Sequence, residues 1–208
     1  MRDQRPLDDC LETALRIWLA VMIAMALAAC AQARPAARVL SRDLVGPPIS
    51  KITMTVSSAA LAADGRIDAR NSAYGANLSP PLRWTAVAGA KSYAVVLEDP
   101  DAATPRPWAH WLIWNIPAAV TALSEGVPRG ARPARPPGAA QGRTDAGSVG
   151  YFGPRPPSGT HHYHFQVFAL DGALALAPGA DRDALLAAMR GHVLASGDLV
   201  GVFSAPAH

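Results

Sequence analysis

Apolar Ile52, Met54 and Val56 alternate with Thr53, Thr55 and Ser57, the period of a strand with one buried face. Further along the chain the alternation gives way to continuous runs. Tyr93 to Leu97 is a short unbroken apolar stretch, as a central strand covered on both faces requires. His110 to Ile116 is another, rich in tryptophan and β-branched residues, and His161 to Leu170 reads as the longest strand. A helical period appears late. Leu185, Ala188, Met189, His192 and Val193 recur at helical spacing, Asp181 and Asp183 suit the first turn, and Gly197 is placed to end it. Leu199 to Phe203 reads as a last short strand.

The connections are irregular. Asp64-Gly65 is a turn signal, Asn77 to Trp84 is extended and proline-rich, and Val127 to Gly150 reads as a long surface loop nearly devoid of large apolar residues. With 19 prolines and 17 glycines in 208 residues, turns dominate. Short strands, long irregular loops and one C-terminal helix predict a mainly β fold, an antiparallel β-sandwich.

The N-terminus has a different pattern. Ile17 to Ala29 is an uninterrupted apolar run of 13 residues after Arg16, too short to span a bilayer and right for a signal-peptide core. It ends in Leu27-Ala28-Ala29-Cys30, which resembles a bacterial lipobox whose cysteine is lipidated. Ala31-Gln32-Ala33 offers a rival cleavage site that would leave a soluble periplasmic protein. Residues 1–29 are therefore read as a lipoprotein-type signal peptide, 30–48 as a tether, and 49–208 as the folded domain. The expected location is the bacterial cell envelope, with a lipid anchor at Cys30 on the extracytoplasmic side. One feature runs against type: Arg2, Arg5 and Arg16 are outnumbered by Asp3, Asp8, Asp9 and Glu12, whereas a signal n-region is basic.

Half the residues are hydrophobic, enough for a real core. The net charge of +3 is mild and no Lys/Arg block interleaves with aromatics, so nucleic acid is not an expected partner. The two cysteines, Cys10 and Cys30, both precede the domain, which must be stabilised by its core.

Chemistry concentrates in two segments, Glu98 to Pro117 and Gly150 to Asp171. In the first, Pro100 stiffens Asp99-Pro100-Asp101 just past a strand end. In the second, alternation puts His161, Tyr163 and Phe165 on one face and His162 and His164 on the other. By the same rule His110 shares a face with Leu112 and Trp114. A carboxylate near these imidazoles is expected to raise their pKa and keep them charged, ready to donate to phosphate-type oxygens. Other chemistries find less support. His162 and His164 could begin a metal site, but no third ligand is evident. No Gly-x-Ser-x-Gly elbow occurs, and nothing marks Ser158 as activated. Neither cofactor nor catalytic residue is expected.

These two segments resemble the signature motifs of the phosphatidylethanolamine-binding protein family, in particular its bacterial Raf kinase inhibitor-like branch. Asn77-Leu78-Ser79-Pro80-Pro81-Leu82-Arg83-Trp84 resembles its early Pro-Pro-x-x-Trp element, so the likeness runs from about Ile52 to Phe203. It implies a β-sandwich with a small pocket for phosphate, phosphoethanolamine or similar anions, lined by Asp99, His110, Pro156, Pro157, His161 and Tyr163, with Asp101 beside them. Two positions depart from the family pattern. Ala103 replaces a proline of the Asp-Pro-Asp loop. Arg155 replaces a cysteine in Gly153-Pro154-Arg155-Pro156-Pro157, and could either add charge for a phosphate or point into solvent. The expected function is non-enzymatic capture of small anions or phospholipid headgroups; the alternative is regulation of a protease, kinase or other hydrolase by protein contact, and hydrolysis using the Asp/His group is the rival both must exclude.

Overall fold

The computed structural model describes residues 38–50 and 52–207. The signal peptide, the Cys30 anchor and the alternative cleavage site after Ala33 lie outside the described residues. In chain order the strands are β1 (Val56–Ser57), β2 (Leu82–Trp84), β3 (Ser92–Asp99), β4 (Trp108–Pro117), β5 (Ala122–Leu123), β6 (Ala140–Gln141), β7 (Thr160–Leu170) and β8 (Val193–Ser204).

Every residue of β3 is buried, which its apolar run anticipates. It is the middle strand of a five-stranded antiparallel sheet ordered β6-β4-β3-β7-β8. A three-stranded antiparallel sheet, β1-β2-β5, covers the front. There Leu82, Trp84 and Leu123 pack against Tyr93, Val95, Leu97, Phe165 and Val167. Behind the sheet, Leu185, Leu186 and Met189 of the helix Arg182–Met189 pack with Ala94, Val96, Leu112, Trp114 and Phe168. Burying each of these larger side chains contributes about 1.5–3 kcal/mol. Among the described residues, no helix is long and apolar enough to cross a membrane.

The mainly β architecture with a C-terminal helix is as the pattern predicted, but several elements differ. The strand expected over 52–57 is reduced to Val56–Ser57. The helix does begin at Asp181, whose carboxylate caps the Ala184 N–H at 2.9 Å, but it stops at Met189 rather than near Gly197. Gly191, at φ +78°, turns the chain in a conformation that side chains disfavour. β8 then runs 12 residues and is the longest strand, one residue longer than β7. Gly197 is a close-approach residue: a Cβ there would lie 2.4 Å from the Met54 carbonyl oxygen.

Two further readings are corrected. The loop 127–150 is not purely superficial. Fully buried Gln141 accepts the Trp111 indole N–H at 2.8 Å and donates to the carbonyls of Pro128 and Gly130. The C-terminal part of the tether is also not a linker. Leu40, Ser41 and Val45 are buried around a helical turn, Ser41–Leu44. Ser41 donates to Glu98, and the Arg42 N–H donates to Gln166. Among the described residues, the segment from Arg38 onward therefore belongs to the same compact unit as the sheet.

β4 departs from a regular ladder at two places. Tyr93 pairs with Ile116 but Val95 with Ile113, and Leu97 pairs with Trp111 but Glu98 with Ala109. Each step leaves one extra residue on β4, which is a β-bulge. Asn115 takes up the first at φ +55°, exchanging hydrogen bonds with the Leu174 backbone. The second extra residue is His110.

Candidate functional site

The bulge at His110 overturns strict alternation. Leu112 and Trp114 lie in the rear core, whereas the His110 ring packs edge-on against Tyr163 of the front core, 5.3 Å between centroids. Bulges re-aim side chains next to sites, and this one turns the imidazole toward the end of the sheet where Asp99 and His161 meet.

Asp99 is fixed by its own turn. One oxygen, Oδ1, accepts the backbone N–H groups of Asp101 and Ala102 at 2.8 and 3.0 Å, the Asx geometry that Asp favours at a turn. The other, Oδ2, lies 2.7 Å from His161 Nδ1. A carboxylate that already accepts two N–H groups takes this third contact as a hydrogen bond from the ring, so His161 presents Nε2 away from Asp99. Both side chains are largely buried, at 5% and 13% exposure.

His110 is held differently. Its Nδ1 is 2.8 Å from the Phe152 carbonyl oxygen, so Nδ1 carries the proton and Nε2 is the uncommitted nitrogen. Burial lowers its pKa. The Phe152 carbonyl and the charges of Asp99 and Asp145 oppose this without prevailing. Burial therefore favours the neutral imidazole at His110, against the expectation of a charged one.

These residues open onto a cleft of about 430 Å³ lined by Asp99, Thr104, Trp108, His110, Phe152, Arg155, Pro157 and His161, together with Ala102, Ala103 and Ala146. Both walls are braced. On one side, Asp145 makes paired 2.9 Å bonds with Arg106 and accepts the Ala109 N–H at 2.7 Å. This bidentate pairing raises the Arg106 pKa and ties loop 100–107 to the turn carrying Ala146. On the other side, the Gly153 N–H donates to Asn77 Oδ1, the Ala73 N–H to the Pro154 carbonyl and the Tyr74 hydroxyl to the Pro156 carbonyl. Gly153 has no room for a side chain, since a Cβ would lie 2.3 Å from the Asn71 carbonyl oxygen.

A strand-end cleft with a fixed Asp/His pair, framed by the turn 153–157, coincides with the match to the family model for phosphatidylethanolamine-binding protein, which spans residues 57–204. The chain belongs to the phosphatidylethanolamine-binding protein family. A UPF0098 protein of Methanothermobacter thermautotrophicus is 49% identical over 140 residues, covering 67% of this chain and 91% of the relative. The UPF0098 protein YbhB of Escherichia coli is 42% identical over 133 residues, covering 62% and 84%. Among solved structures, Escherichia coli YbcL, a member of the mammalian phosphatidylethanolamine-binding family, superposes with a TM-score of 0.68 at 31% identity, covering 74% of this chain and all of that one. The homologue CT736 of Chlamydia trachomatis gives 0.65 at 32% identity, covering 74% and 99%. Membership in this family supports a ligand-binding or regulatory role.

Of the residues singled out from sequence, the fold brings Asp99, His110, Pro157 and His161 together in the cleft lining. Three lie elsewhere. Tyr163 is fully buried behind His110, its hydroxyl without a partner among the described residues; burial, with the Asp99 charge, drives its pKa far upward. Pro156 is buried in the wall and presents its carbonyl to Tyr74. Asp101 turns to the outer face. Its Oδ2 accepts the backbone N–H of His162 and contacts that residue's Nδ1, both at 2.8 Å. Partial burial raises the Asp101 pKa, but these hydrogen bonds and the His162 charge outweigh it and hold the pKa low. Sequence reasoning missed Ala102, Thr104, Trp108, Phe152 and Ala146 as lining residues. Trp108 and Phe152 fall within the two motif segments, so the signal was present, whereas Ala146 sits in a featureless loop. Among the described residues, no cluster of three or more His, Cys, Asp or Glu side chains could hold a metal ion.

Proposed function

We propose that this protein captures small phosphate-bearing anions, free or as phospholipid headgroups, in the Asp99–His161 cleft without turning them over. The carrying observation is the His161 imidazole, oriented by the 2.7 Å contact with Asp99 and left with one nitrogen for a ligand. Arg155 adds positive charge at the same cleft. The apolar walls, Trp108, Phe152 and Pro157, suit the organic portion of such a ligand. Support for binding over hydrolysis comes from the hydroxyl inventory. Thr104 is the hydroxyl-bearing residue of the lining, and its Oγ1 donates to the Arg106 carbonyl at 2.7 Å, so it is not poised as a nucleophile. Lipidation at Cys30, holding the cleft at an envelope membrane, is part of the same proposal and rests on the sequence Leu27-Ala28-Ala29-Cys30.

Calorimetric titration with inorganic phosphate tests the site. His161→Ala is expected to weaken binding by about 1–3 kcal/mol, the scale of a lost charge-assisted hydrogen bond. His162→Ala, on the outer face, is expected to have little effect. Multiple turnovers of 4-nitrophenyl phosphate that disappear in His161→Ala would replace this proposal with a hydrolase.

A further inference from the structure

Arg155 is exposed, yet it is not adrift. Its guanidinium carbon sits 5.8 Å from the centre of the Tyr74 ring, within cation–π range. That ring is fixed at both sides: its hydroxyl donates to the Pro156 carbonyl at 2.8 Å, and it stacks on Phe203 at 6.4 Å and 12°. Phe203, Tyr74 and Arg155 thus form a layered arm from β8 to the cleft mouth. Among the described residues, no carboxylate lies within ion-pair reach of Arg155. Arg106, in the loop that braces the other wall, is committed to Asp145 through both terminal nitrogens.

The cleft's acceptors point the same way. Asp99 is the one carboxylate in the lining, and three of its acceptor positions are taken by the Asp101 and Ala102 N–H groups and His161. A zwitterionic headgroup brings an ammonium that needs an acceptor with negative charge. Here it would meet an engaged carboxylate and an unpaired arginine that repels it. A phosphomonoester carries a charge of about −1.5 to −2 at pH 7, and arginine's planar fork matches two of its oxygens.

We infer that Arg155, held on the Tyr74 ring, makes this cleft select terminal phosphate groups over zwitterionic phosphodiester headgroups such as glycerophosphoethanolamine. The inference rests on the phosphate reading of the cleft proposed above and narrows it to one ligand class.

Calorimetry with two probes tests it: propyl phosphate, a dianionic monoester, and glycerophosphoethanolamine, a zwitterionic diester. The wild-type protein is expected to prefer propyl phosphate by about tenfold or more, the scale of one charge-assisted contact. Arg155→Gln is expected to weaken propyl phosphate about tenfold and leave glycerophosphoethanolamine within about twofold. Tyr74→Leu, which removes the ring and keeps the charge, is expected to fall between. A wild-type preference for the zwitterion, or equal losses for both probes in Arg155→Gln, would overturn the inference. If His161→Ala abolishes propyl phosphate binding while Arg155→Gln leaves it unchanged, the selectivity claim falls and the phosphate cleft survives. If neither probe binds the wild-type protein, both fall.

Discussion

Glu98 and Asp99 are consecutive carboxylates at the end of β3, and they face opposite sides of the sheet. Glu98 is fully buried behind it. Its two oxygens take four donors: the backbone N–H and hydroxyl of Ser41, the Gln166 amide at 2.7 Å, and the Arg182 guanidinium. Each is locked in the fold, and Gln166 passes the network on by accepting the Arg42 N–H. Asp99 is nearly as buried but is paired with a histidine that retains an open nitrogen at a cleft. Saturation by fixed donors marks a carboxylate that holds a structure together. Pairing with a half-committed titratable ring marks one that prepares a site.

The largest expected effect separates the two by stability. Glu98→Ala would leave the buried Arg182 with only its 3.3 Å contact to the exposed Asp183 carboxylate, and removing the buried partner of such a pair costs about 3–5 kcal/mol. It would also release the turn Ser41–Leu44 from the sheet. Urea denaturation should show the loss, and hydrogen exchange should show deprotection beginning at Ser41. If the midpoint barely moves, the comparison collapses, because Glu98 would then be no more structural than its neighbour.

Asp99→Asn is the counterpart. The amide oxygen can still accept from Asp101 and Ala102, so the turn is retained, but the charge that fixes the His161 ring is gone. Phosphate affinity should fall by about 1–3 kcal/mol, with a smaller stability loss than Glu98→Ala. A variant that unfolds as readily as Glu98→Ala while binding phosphate normally would reverse the two roles.

A subtler split concerns His110 and pH. Its folded pKa is lowered by burial, so on acidification the unfolded chain takes up this proton first, near the ordinary value of about 6.5. A group that binds more protons when unfolded makes stability rise with pH. Its contribution is therefore full above about 6.5 and falls as pH drops toward the depressed folded value, with a slope of at most about 1.4 kcal/mol per pH unit. Denaturation midpoints at several pH values should show a shallower acid slope in His110→Gln than in the wild-type protein. Identical slopes would mean that His110 is not buried neutral.

The front and rear of the sheet also differed in how far the sequence disclosed them. Apolar runs announced β3 and β4, since a strand covered on both faces has little freedom in composition, and β7 was legible from its length and its aromatic and β-branched content. The Asp99–His161 meeting was legible from two strand ends. The features that stayed hidden depended on partners far along the chain or on irregular geometry. Ser41 looks like linker until Glu98, 57 positions away, takes its hydroxyl. Val193 continues the helical period of Leu185 and Met189, and only the turn at Gly191 separates it. The His110 bulge leaves no trace in composition, because alternation carries no record of an extra residue.

The smallest expected effect falls on Tyr163, the residue that the resemblance placed in the pocket and the fold places behind it. It is fully buried and edge-on to the His110 ring, and its hydroxyl has no partner within 3.5 Å among the described residues, the Asp99 carboxylate and the Arg155 backbone being the nearest groups that act on it. A buried hydroxyl without a partner opposes folding, because its desolvation is not repaid by a hydrogen bond. Tyr163→Phe keeps the ring that supports His110 and removes only that oxygen. Stability should be unchanged or rise by up to about 1 kcal/mol. Phosphate affinity should change by less than about twofold, well short of the tenfold scale of a charge-assisted contact. An affinity loss matching that of His161→Ala would show that the phenol reaches the ligand, and that the cleft opens to its floor on binding. A lowered melting temperature would show instead that the hydroxyl has a partner. Either outcome would move Tyr163 across the line that divides the residues holding this sheet together from those lining its cleft.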